Sequence, residues 1–165
     1  MNRESTKFVV FNIGEENFGV EVYRVVEILS PQRVYSIPEL PQFLSGVINV
    51  RGEVIPLLDL RKRFGVQATT QEERIMIVKY DSEKIALLVE NIRELISLSG
   101  EEITSPPMIF KGLKRKYLTG LGKKDERIII LLNIDDLLTS EEKIILKDSE
   151  GVLEENAGSG KTSQG

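Results

Sequence analysis

The sequence predicts a mainly all-β protein built as small barrels or a sandwich, with short helices. Three observations predict it. Roughly nine or ten short runs rich in Val, Ile, Leu and Phe recur at spacings of about ten residues. Residues that favour turns lie between the runs, among them Gly14, Gly52 and Asp81-Ser82. No stretch carries the apolar period of a long amphipathic helix.

Each element follows from its residues. Residues 7–13 (KFVVFNI) read as a strand, 14–17 as a turn, and Phe18 to Val22 resumes the β pattern, which makes a hairpin. Residues 23–29 (YRVVEIL) continue it with one acid, Glu27. Pro31, Pro38 and Pro41 forbid a long helix in the next stretch. Residues 47–50 and 53–58 flank Arg51-Gly52, a tight hairpin in which glycine supplies a positive φ. Asp59 opens a short helix that Gly65 closes. Residues 74–80, 84–89 and 92–98 read as three strands with turns at Asp81-Ser82 and Glu90-Asn91. A loop runs from Pro106-Pro107 to about Lys116. Residues 117–121 and 127–132 pair around the GKKDE turn, and 133–147 form one or two short helices capped at Asn133 or Thr139/Ser140. No close internal repeat is apparent. The tail, 148–165, has almost nothing to bury and reads as disordered.

Composition excludes much chemistry. The chain has no Cys and no His, which removes disulfides, thiol nucleophiles and the usual general base. An enzyme would need paired carboxylates or an activated lysine, whereas the acids here gather in turns and helix starts. The net charge of −4 argues against nucleic acid, which demands a clustered positive face. No apolar run reaches the ~18 residues of a membrane span, and the N-terminus lacks a signal peptide's apolar core, so a cytoplasmic protein is expected.

Two motifs invite functional readings and fail. Gly158 to Thr162 (GSGKT) looks like a phosphate-binding loop, but position 155 is Glu and only three residues follow Thr162, leaving no helix to hold phosphate. Asp135-Asp136 and Glu141-Glu142 are ordinary acids near helix starts, and no cofactor or metal is expected. The informative charges are Glu27 and Arg51, each inside a largely apolar segment. A charge there must be paired or sit at a functional surface, unless it lies on the exposed alternate face of a strand.

Residues 45–64, SGVINVRGEVIPLLDLRKRF, resemble the central signature of the CheW family of chemotaxis coupling proteins, usually GV-x-NLRG-x-x-x-P-x-x-DLR. The matching positions are Gly46, Val47, Asn49, Arg51, Gly52, Pro56, Asp59, Leu60 and Arg61, and Val50 stands where Leu is usual. Residues 18–28, 117–122 and 132–138 fit further family segments in the expected order. The resemblance implies a fold of two small five-stranded SH3-like β-barrel lobes sharing an apolar seam. These form one domain over 7–147, with a flexible stretch at 1–6. It also implies a non-enzymatic adapter that binds the regulatory domain of the kinase CheA and the helical cytoplasmic tip of chemoreceptors, with no direct membrane insertion. A CheA would need a phosphorylatable His, and a CheV a receiver domain. An adapter of a related motility or pilus pathway, or a small-ligand-binding barrel, are the alternatives.

In the family, the residues matching Glu27 and Arg51 are associated with these contacts and with each other, and Val25 and Gly46 fall at positions associated with coupling. Glu27 and Arg51 are therefore expected to form an ion pair near the seam of the first barrel. A receptor hairpin needs an apolar groove. Its expected lining is Ile48 and Val50 beside Arg51-Gly52, with Ile85, Leu87 and Val89 opposite. Arg51 is assigned to the receptor, and Val25 with Glu27 to the kinase.

Overall fold

The first apolar run forms β1 (Ser5–Ile13), and Gly14 at φ 63° turns it into β2 (Glu16–Glu21). The computed structural model describes residues 4–106 and 115–148. The GSGKT motif, the tail from 149 onward and most of the loop after Pro106 lie outside the described residues. After β2 the chain leaves its sheet through a 3-10 turn, Val22–Arg24, and enters a second sheet at β3 (Val25–Leu29). There it builds the hairpin of β4 (Gly46–Val50) and β5 (Glu53–Asp59). Helix α1 (Leu60–Phe64) follows. The Asp59 carboxylate accepts the Arg61 N–H at its start, and Gly65 at φ 69° ends it. The hairpin of β6 (Arg74–Tyr80) and β7 (Glu83–Val89) completes the second sheet. The chain returns to the first sheet with β8 (Asn91–Ser99), β9 (Ile103–Thr104), β10 (Leu118–Lys124) and β11 (Arg127–Leu132). Residues 140–148 are helical. Thr139 caps them: its hydroxyl accepts the Glu142 N–H at 3.0 Å while the Glu142 carboxylate accepts the Thr139 N–H at 2.9 Å.

The sheets run β8-β1-β2-β11-β10-β9 and β3-β6-β7-β5-β4. The all-β expectation holds. The first sheet has six strands rather than five, because Ile103–Thr104 adds a two-residue edge too short to leave a pattern. Both sheets curl, consistent with small barrels. In the first, Leu98 of β8 lies where a Cβ on Gly122 of β10 would come within 2.5 Å, and Lys124 donates to the Ser97 carbonyl at 3.1 Å.

Ser5 and Thr6, expected in a flexible stretch, are paired with Ser99 and Leu98 in β1, and Asp148, expected in the tail, is helical. Three further boundaries differ, each for a physical reason. Tyr23 and Arg24 are not strand, because the chain is crossing between sheets there. Glu90 is not a hairpin turn, because β7 and β8 belong to different sheets. The turn between β10 and β11 is only Asp125-Glu126, both at positive φ, so Gly122 to Lys124 stay in the strand.

The long apolar runs bury both faces. In β7, Ala86 and Leu88 face the core of their own sheet, while Ile85, Leu87 and Val89 face a larger core shared by both sheets. In β1, Phe8 and Val10 face inward, while Val9, Phe11 and Ile13 face the shared seam. Such strands read as continuous rather than alternating.

The registers also disclose a repeat. Residues 7–29 correspond one to one with 74–96. Val10 faces Gly19 as Ile77 faces Ala86, and Glu27 faces Ile77 as Glu94 faces Val10, each beside a bulge. The turns Arg51-Gly52 and Asp125-Glu126 correspond as well, as do Asp59-Leu60 and Asn133-Ile134 at the following helical turns. The copies exchange strands. The first gives β1 and β2 to one sheet and β3 to β5 to the other. The second gives β6 and β7 to the latter sheet and β8, β10 and β11 to the former. This structural repeat leaves no close repeat in the sequence, because what recurs is the face each position buries, not the residue.

Ion pairs brace the seam. Arg63 bonds Glu142 through two contacts of 3.0 Å, and Arg24 bonds Asp135 at 2.7 Å. Burial pushes the Glu142 carboxyl up, but hydrogen bonds from Arg63 and the Thr139 N–H outweigh it and hold the group below the usual carboxylate range. Hydrogen bonds from Arg24 hold Asp135 low as well. Both groups have depressed folded-state values. Their stabilisation is therefore present above the ordinary carboxylate pKa of about 4 and is lost as pH falls from there through their lower folded-state values. With no His to titrate, the melting temperature is expected to stay flat from about pH 8 to 5 and to fall below that. Melting scans across this range check it: Glu142→Gln should flatten the acid limb, and an unaltered limb would remove Glu142 from its cause.

Candidate partner-binding site

The hairpin tip between β4 and β5 is built to hold an arginine rigidly in solvent. Arg51 and Gly52 both take positive φ, 51° and 90°, the two-residue turn that matches the twist of paired strands. Such a φ is uncommon for a side chain larger than glycine's. The Asn49 side chain fixes the turn by accepting the Gly52 N–H at 2.9 Å. A Cβ at Gly52 would meet nothing within 4 Å, so this tip is open.

Arg51 reaches from the tip to Glu27 on β3 and makes two bonds, 2.6 and 3.1 Å. The Arg51 side chain is 71% exposed and that of Glu27 30%. Hydrogen bonding from Arg51, then its charge and that of Lys84, holds the Glu27 carboxyl below its ordinary value. Lys84 itself bonds Glu53 at 2.9 Å, so four charges lie along this end of the sheet. The expected ion pair is formed, but not at the seam. Glu27 pairs in register with Ile77, which faces the core of the five-stranded sheet alone.

The apolar surface beside this pair comes from β3. Val26 and Ile28 are exposed, and Val25 is half-buried against the seam core. β3 is an edge: among the described residues it pairs only with β6. Sequence reasoning singled out Val25 and Glu27 but missed Val26 and Ile28. Val26 and Ile28 alternate with the partly buried Val25, Glu27 and Leu29, and a run with apolar residues at both kinds of position carries no mark of which set faces out.

The expected groove does not exist as drawn. Ile48 and Val50 lie in the core of the five-stranded sheet, while Ile85, Leu87 and Val89 lie in the seam core, and all five are buried. They belong to different cores because β4 and β7 present different faces to the seam. Gly46 is buried too. A Cβ there would sit 2.5 Å from Val34 Cγ1 and 2.7 Å from the Tyr35 carbonyl, so its place in the signature reflects close approach of the chain around Tyr35. Asp59, Leu60 and Arg61 serve the fold as well: a cap, a fully buried side chain, and a guanidinium bonded to Glu73 at 2.7 Å. Among the described residues no group of His, Cys, Asp and Glu is placed to hold a metal, and no helix is long and apolar enough to cross a membrane.

Comparison with known proteins matches this architecture. The family described as CheW-like domain matches residues 7–142. The chemotaxis protein CheW of Klebsiella aerogenes is 33% identical over 142 residues, covering 85% of this chain and 86% of that protein. The chemotaxis protein CheW of Treponema pallidum is 31% identical over 148 residues, covering 86% and 87%. The crystal structure of the scaffolding protein TtCheW from Thermoanaerobacter tengcongensis superposes with a TM-score of 0.75 at 33% identity, covering 81% of this chain and 92% of that one. The two-sheet fold, the signature around Arg51 and these likenesses along most of its length place the chain in the CheW family.

Proposed function

We propose that the protein is a non-enzymatic chemotaxis scaffold that couples chemoreceptors to the histidine kinase CheA, and that these partners hold it at receptor arrays. The observation that carries the proposal is the Glu27–Arg51 pair, an ion pair fixed on a rigid hairpin tip beside the exposed Val26 and Ile28 of an edge strand. An exposed pair of this kind adds little to stability. Placed on an interface, it steers and orients a partner. The β3 edge, with Val25 and Glu27, takes the kinase regulatory domain, and Arg51 takes the receptor tip. The chemotaxis and scaffolding descriptions of the relatives support this reading.

Because the two residues are bonded, Arg51→Ala also frees Glu27. Receptor-tip binding is expected to weaken roughly tenfold or more, and binding to the kinase regulatory domain to fall less, with the circular dichroism spectrum unchanged. Titration of the folded variant against each partner checks this, and equal losses would mean that the two surfaces overlap. Failure of the wild-type chain to capture either partner would sink the proposed function. ATP with magnesium is expected to leave the melting temperature unmoved, since a ligand of the native state would raise it.

A further inference from the structure

The chain passes between the two sheets twice, through the turn Val22–Arg24 and through the single residue Glu90. We propose that these crossings are ionic locks of opposite polarity that set the angle between the lobes, and that Glu90 is the residue that positions them.

Glu90 is 1% exposed. A carboxylate is costly to bury unless it is bonded, and this one is bonded from both lobes. Its Oε1 accepts the Gly14 N–H at 3.1 Å, from the β1–β2 turn of the six-stranded sheet. Its Oε2 accepts the Thr69 N–H at 3.3 Å and lies 3.8 Å from Arg61 Nη1, both on the chain that leaves β5 of the five-stranded sheet. The Thr69 hydroxyl stands 3.1 Å from Glu90 Oε1 and from the Gly14 carbonyl, and its one proton serves either. The Glu90 N–H also donates to the Asn12 carbonyl at 3.1 Å. An apolar side chain of similar volume would be cheaper to bury but would bond none of these groups.

The other crossing has the reverse polarity. Arg24 donates to Asp135 Oδ1 at 2.7 Å and Oδ2 at 3.4 Å. Asp135 stands two residues beyond Asn133 as Arg61 stands two beyond Asp59, so the two are equivalent in the repeat. One copy has a cation there and faces an anionic crossing residue, and the other has an anion and faces a cation. In the repeat Glu90 takes the place of Tyr23 and Arg24 that of Asn91, so the two locks share the place of their helical-turn partner but use neighbouring crossing positions. The Glu90 lock is the buried one, whereas Asp135 is 62% exposed.

The test measures residual dipolar couplings and amide exchange on the full chain. In the wild type both sheets should fit one alignment tensor. Glu90→Gln keeps the volume but sets an amide N–H₂ against the Gly14 or Thr69 N–H. Each sheet should then fit its own tensor, with Gly14 and Thr69 amides exchanging at least tenfold faster. Arg24→Glu should separate the tensors less, and Asp135→Arg added to it should restore one tensor. A lower melting temperature in the Glu90 variant with a single shared tensor would mark Glu90 as merely stabilising and overturn the proposal. So would Gly14 and Thr69 amides that stay protected, or an Asp135→Arg that fails to restore.

Discussion

Phe18→Ala is expected to cost about 3–5 kcal/mol of unfolding free energy, the range for a large aromatic removed from a core that cannot collapse. Phe18 is 2% exposed and sits in a column of rings through the seam. Its centroid lies 6.1 Å from Phe11 and 5.4 Å from Phe64, and Phe64 lies 5.3 Å from Tyr117. Phe11 and Phe18 come from the six-stranded sheet, while Phe64 comes from the helix that follows β5 of the other. Removing the middle ring therefore opens a cavity between the lobes, where neither sheet can move in alone. Phe18→Leu should cost about 1 kcal/mol, because it keeps most of the volume. Denaturant titration measures both, and a cost under about 1 kcal/mol for the alanine variant would show that the column is not what joins the lobes.

The second large effect is expected at Gly46. Gly46→Ala places a Cβ 2.7 Å from the Tyr35 carbonyl and 2.5 Å from Val34 Cγ1. Val34 can rotate away, but the carbonyl cannot. Tyr35 and Val47 exchange two backbone hydrogen bonds, 2.8 and 2.9 Å, and moving Tyr35 breaks them. A cost on the order of 3 kcal/mol is expected, together with loss of amide protection at Tyr35 and Val47. Hydrogen exchange separates this from direct contact. If Gly46 touched a partner instead, the alanine variant would bind more weakly while the Val47 amide stayed protected.

The expected strands and turns survive in the structure with small shifts, because turn chemistry is local. Gly14, Arg51-Gly52, Asp59 and Gly65 each act through their own φ or side chain, and each falls where its residue type places it. The Glu27–Arg51 pair was expected from the family resemblance, in which the matching residues are associated with each other; the runs alone allowed an exposed alternate face equally well. The proposed groove of Ile48, Val50, Ile85, Leu87 and Val89 was not legible. A strand that buries both faces carries no mark of which core each face enters.

By itself the sequence determined the all-β class, the hairpins, the helix caps, the absence of His and Cys chemistry, and the signature around Arg51. The tertiary structure alone decided that β7 and β8 part company at Glu90, that two copies of one strand plan exchange partners, and that Val26 and Ile28 face solvent. Hairpins and caps are fixed by neighbours a few residues away. Which sheet a strand joins is fixed by long-range pairing and by the core each face finds, and those partners lie far along the chain. The acid that decides the second crossing is one buried carboxylate, and it acquires its meaning only when Gly14, Arg61 and Thr69 gather around it.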